Sequence, residues 1–284
     1  MLDVLKVEDV QPETAATVRH VLRFGRVERT LHAFLMFSFL GLASTGMPLL
    51  FSDAPWARRM ARLLGGFAFT HALHRVFASL MITVFVMHVA RLIHRVAVKK
   101  DYSIFWGPTS LVPQPTDIQD MFRHMLWFIG AGKKPAFDRY AYWEKFDYWA
   151  VFWGMAIIGG SGLMLWFPET FARVLPGWVF NIALLVHGEE ALLAVGFIFT
   201  IHFFNSHLRP GKFPMDMVIF TGRVSEHELK DERPAEYARV VATLVDAGPA
   251  SPRTWLIGRL VGTAAVGIGL TLVALIIYAV ASQG

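Results

Sequence analysis

The stretch HRVFASLMITVFVMH, residues 74–88, decides how this chain is read. It is apolar enough for hydrocarbon, yet a histidine stands at each end. Such a side chain at membrane depth is costly unless something there uses it. Positions 74 and 88 are 14 residues apart. At about 100° and about 1.5 Å per residue, this leaves them about 40° from eclipsed and about 21 Å apart along a helix. One helix therefore offers two imidazoles on one face, one near each membrane surface.

The surroundings support a membrane setting. The chain has 284 residues, 55% of them hydrophobic, and a mean hydropathy of +0.45, above what a soluble domain of this size shows. A helical span needs about 20 apolar residues to cross about 30 Å of hydrocarbon. Five stretches meet this: Leu31 to Phe51, about His71 to Ile93, Tyr148 to Pro168, about Val179 to Phe204, and about Leu256 to Val280. All should be helices, because an open strand edge cannot face lipid. The expected fold is an all-α membrane protein, a four-helix transmembrane bundle with a fifth C-terminal transmembrane helix. Its parts are an N-terminal segment (1–30), a four-span domain (31–204) containing a long loop (95–147), a second loop (205–255) and the fifth span (256–280).

Lysine and arginine number five before span one, three between spans one and two, and nine from Arg91 to Lys145. One follows between spans three and four, then eight from Arg209 to Arg259. Heavy and light segments alternate, so the positive-inside rule puts the N-terminus and both long loops in the cytoplasm and the C-terminus outside. The first apolar run is too long for a signal-peptide core and stays as a span. The net charge of +5 follows from topology and anionic headgroups, with no nucleic-acid partner. Cysteine is absent, which excludes disulfides, iron-sulfur clusters held by this chain and thioether-attached haem.

Span four repeats the pattern of the opening stretch. His187 and His202 are 15 residues apart, about 60° from eclipsed and about 22 Å apart. Spans two and four run in the same direction, so His74 and His187 share an outer level and His88 and His202 an inner one. Four imidazoles so matched are the axial ligand set of two stacked b-type haems. Bis-histidine ligation fills both axial positions and so suits electron transfer. Gly41, Gly46, Gly154, Gly159, Gly160 and Gly162 let backbone approach a macrocycle. Arg75 and Arg91 either pair with haem propionates or snorkel to headgroups. His71 and His94 are interfacial, and His20, His124, His207 and His227 fall in loops. Glu189 and Glu190 are intramembrane carboxylates beside His187. Glu190 points towards the haem face, either as a proton path or as half of a water-exposed pair near the helix start.

HRVFASLMITVFVMHVAR (74–91) resembles the second helix of the cytochrome b of bc-type quinol oxidoreductases. RTLHAFLMFSFLGLASTGMPLLF (29–51) resembles instead the first helix of the cytochrome b (gamma) subunit of membrane-bound formate dehydrogenases and of the related hydrogenase and thiosulfate reductase anchors. RYAYWEKFDYW (139–149) and GGSGLMLWFP (159–168) resemble the beginning and end of that family's third helix. Together these resemblances cover about residues 19–210. Both imply His74, His187 and His202 as ligands. They differ on the fourth, His88 in the first family and His32 in the second, and spacing alone favours His88. A third haem on the surplus histidine is the remaining option.

The resemblance to the anchors implies a quinone, such as menaquinone, as redox partner. Its quinone-binding polar residue and nearby glycine fall here on Ala141 and Trp143, leaving Tyr140, Glu144 and Lys145 as candidate contacts or as interfacial anchors. It further implies one subunit of a hetero-oligomeric respiratory complex in a bacterial inner membrane, contacting lipid, with an outer-face partner carrying iron-sulfur clusters or c-type haems. The segment SEHELKDERPAEYARVVATLVD (225–246) either docks a cytoplasmic partner or is a solvated surface helix. Two other classes stay open on the residues alone, a His/Glu proton or ion transporter and a haem-free membrane anchor.

Overall fold

A computed structural model describes residues 18–282. Five helices in it are long and apolar enough to cross a membrane: Arg26–Leu50, Phe67–Ala97, Tyr142–Trp166, Trp178–Leu208 and Pro252–Ala281, here spans one to five. Each starts before its apolar run, because a helix goes on forming its own hydrogen bonds where polar ends leave the hydrocarbon. At 31 residues, spans two and four measure about 46 Å, well beyond the about 30 Å core. The early start of span three matters for function, since it brings Asp147 inside the helix.

The buried core lies among spans one, four and five. Ala43 and Met47 from span one pack with Val195, Phe199 and Phe203 from span four and Leu272 and Ala279 from span five. Without a hydrophobic drive between helices in lipid, close approach depends on small residues. Span five meets this by turning Gly258, Gly262 and Gly269 to its neighbours. The Gly269 face lies directly against the rings of Phe199 and Phe203.

Both long loops and the segment before span one meet at one end of the bundle, the cap end. Strand β1 (His20–Leu22) pairs antiparallel with β2 (Arg223–Ser225), with His20 opposite Ser225. Ala235 N donates to the Phe137 carbonyl, which ties the two loops together. Val218, Val224 and Leu229 form a small core beneath. Glu236, its side chain 6% exposed, accepts from Arg23 at 2.6 Å and from Arg139 at 2.9 Å. Removing one partner of so buried a cluster costs about 3–5 kcal/mol.

The 225–246 segment is not one continuous helix but is folded against the cap, with part of its surface still exposed. Pro234 disfavours helical geometry at Arg233, which sits at φ −135°, ψ 59°. The chain breaks there into short helices Glu226–Glu232 and Pro234–Val240 folded onto the cap. The 95–147 loop likewise holds a helix, Pro115–Phe128. Residues 1–17 of the N-terminal segment lie outside the described residues.

Candidate haem-binding site

At the end of the bundle away from the cap, the far side, His74 and His187 face each other with ring centroids 6.3 Å apart. Two metal–imidazole bonds of about 2 Å, plus about 1 Å from each nitrogen to its ring centre, give about 6 Å. The observed spacing accommodates two axial ligands on one metal.

The tautomers agree. Thr45 Oγ1 donates to the Gly41 carbonyl at 2.7 Å, so it accepts from His74 Nδ1 at 2.9 Å. His187 Nδ1 lies 3.0 Å from the Ile158 carbonyl, which only accepts. Both rings therefore carry their proton on Nδ1 and leave the Nε2 lone pair free to bind a metal, the usual arrangement for a metal-binding histidine. The Ile158 carbonyl belongs to a π-helical turn, Met155–Gly159; such turns disturb the regular ladder and recur at functional sites.

Glycine leaves room for these rings. A Cβ on Gly46 would lie 3.1 Å from His74 Cε1, and one on Gly162 2.9 Å from His187 Cε1. Any side chain at position 162 would displace the His187 ring. These residues fit a bis-histidine haem.

The cap-side level has different parts. His202 ends a π-helical turn, Ile198–His202, and its Nδ1 donates to Asp147 Oδ2 at 2.9 Å. A carboxylate only accepts, so Nε2 is again the free nitrogen. His32 lies within electrostatic reach of His202 and His207. His88 turns elsewhere: its Nε2 is 2.8 Å from the Tyr148 hydroxyl, with its ring edge-on to Tyr148 and Phe152. The structure thus brings His32, the residue that spacing alone ranked second, close to His202. Helical spacing fixes the level and approximate face of His88 but not its rotamer, and Tyr148 offers it a partner on span three.

The remaining candidates fall as follows. Arg75 stacks over the Trp166 ring at 5.5 Å, and Arg91 pairs with Glu28. Glu144 pairs with Arg233 at 2.8 Å. Lys145, its side chain 8% exposed, is held by Asp117 at 2.8 Å. Tyr140 lies beneath the Arg139 guanidinium. Glu144 and Lys145 thereby tie span three to the cap. Glu190 accepts from the Trp153 indole at 3.2 Å. Span four begins at Trp178, which puts Glu190 about 18 Å along the helix. His124 is a buried residue of the Pro115–Phe128 helix, stacked on Trp127 and Trp143, and outside the spans its burial, with Lys134 and Arg209 nearby, holds its pKa below the ordinary value.

Sequence reasoning missed the partners behind the ligands: Thr45, Asp147 and the Ile158 carbonyl. Asp147 had a visible signal, an acid adjoining a charge-free run. A backbone carbonyl has none.

Comparison with individually curated proteins finds no match. The prokaryotic cytochrome b561 family matches residues 23–207, which takes in spans one to four and every ligand candidate and leaves out the second long loop and span five. Matched over well more than half of its length, the chain belongs to the prokaryotic cytochrome b561 family, membrane proteins that carry electrons through b-type haem.

Proposed function

We propose that this chain is the two-haem cytochrome b subunit of a respiratory, quinone-linked complex in a bacterial inner membrane. His74 and His187 hold the far-side haem, and His32 and His202 the cap-side one. The observation that carries the reading is the 6.3 Å facing of His74 and His187. For the second pair, the proximity of His32 to His202 and the hydrogen bond between His88 and Tyr148 favour His32 over His88.

The charge count makes the cap end cytoplasmic, the far side external and the C-terminus external. The partner subunit then docks at the far side and brings iron-sulfur clusters or c-type haem, while quinone reacts from the lipid. Haem supplies the one-electron chemistry. The protein fixes the axial nitrogens and their tautomers, and the about 22 Å between His187 and His202 along span four sets the two levels an electron must connect. Glu190, an intramembrane carboxylate between those levels, handles the proton that accompanies quinone chemistry.

The test is a pyridine haemochrome assay with a reduced-minus-oxidised spectrum on the purified full chain. Two b-type haems per chain, reducible by a menaquinol analogue, are expected. A colourless protein would sink the reading and return the His/Glu transporter or bare anchor.

A further inference from the structure

His207 stands apart from the set just described. It is 8% exposed, and its Nδ1 is buried with no hydrogen-bond partner among the described residues. A buried polar nitrogen left unpaired is costly, so an imidazole in this state calls for a partner. Its position says which. His207 follows His202 by five residues, within the next π-helical turn, Phe204–Leu208. In that helix residues five apart are hydrogen-bonded neighbours on one face, so His207 lies below the same site, about one turn nearer the cap. It is also within electrostatic reach of both His32 and His202.

Two more buried donors share this end of the spans. Arg29 Nε is three residues before His32 on span one, and Arg209 Nε is two beyond His207. Both lack a partner among the described residues. Three buried nitrogens without a partner, two of them on guanidinium groups of which Arg209 also pairs with Glu232, stand at the polar end of a site lined by two candidate ligand histidines and suit an anionic acceptor carried by the haem itself.

We propose that His207 donates a hydrogen bond from Nδ1 to a propionate carboxylate of the cap-side haem, and so positions and tunes that haem without ligating it. The inference rests on the two-haem reading. A donor here offsets the propionate's negative charge. Its loss favours the ferric state and lowers the potential of this haem alone.

The test compares His207→Leu and His207→Gln in the intact purified chain, by haem count, potentiometric titration and the propionate-bending bands of the resonance Raman spectrum. Both variants should keep two haems. His207→Leu should shift the propionate band of one haem and lower its midpoint by the equivalent of about tenfold in its reduction equilibrium, about 59 mV for one electron. His207→Gln, which keeps an N–H donor, should restore most of both. Unmoved bands and potentials in His207→Leu would overturn the assignment. Loss of a haem from both variants would also overturn it, as the mark of an axial ligand. A wild-type chain with a single haem would instead refute the two-haem reading itself.

Discussion

On the far side, His74 and His187 lean on uncharged acceptors, the Thr45 hydroxyl and the Ile158 carbonyl. On the cap side, His202 leans on the Asp147 carboxylate, with His32 and His207 close by. Each arrangement frees Nε2, so the geometry they serve is the same. The electrostatics differ, since a carboxylate behind an imidazole makes it a more basic ligand and a neutral oxygen does so less. In this fold the helices set where a ligand stands, and the partner across the interface sets how strongly it donates.

The largest test of that contrast is ligand removal. His187→Ala should take the haem count from two to one per chain and leave the spectrum of the cap-side haem in place. His32→Ala should do the reverse, and His88→Ala should keep both. Loss of a haem on removing His88, with none on removing His32, would break the cap-side pairing.

Next comes shape. Gly162→Val would place a branched side chain where even a Cβ comes 2.9 Å from His187 Cε1. The far-side haem should become substoichiometric while the cap-side haem stays full. The comparable change at Gly46, where the Cβ would stand at 3.1 Å, should be milder. Haem quantification on membranes carrying each variant checks the order.

How much of this the sequence discloses depends on what each feature is made of. Spans two and four announce themselves through runs of apolar residues, and 14- and 15-residue spacings place their histidines at two levels. Fold and level were therefore legible. The orientation of each ring was not, because spacing does not determine a rotamer, and Tyr148 holds His88. The cap itself was unreadable for a related reason. Lys145 and Glu236 look like solvated charges in the sequence and become buried only when separate segments meet, Lys145 against Asp117 and Glu236 against Arg23 and Arg139.

The smallest expected effect is also the most discriminating. Asp147→Asn keeps an acceptor oxygen for His202 Nδ1 and removes the charge, so the cap-side haem should be retained, bound about 10–100-fold more weakly, with its midpoint potential raised because the imidazole donates less to ferric iron. Thr45→Val removes one neutral hydrogen bond from His74, worth about 1 kcal/mol, and should move the far-side haem less. Potentiometric titration of both variants reads the two haems separately. Equal shifts would mean that the charge of Asp147 contributes nothing beyond holding the ring, leaving the two levels different in composition but alike in electrostatics. A larger cap-side shift would mean that the chain tunes the two sites apart through a single carboxylate on span three.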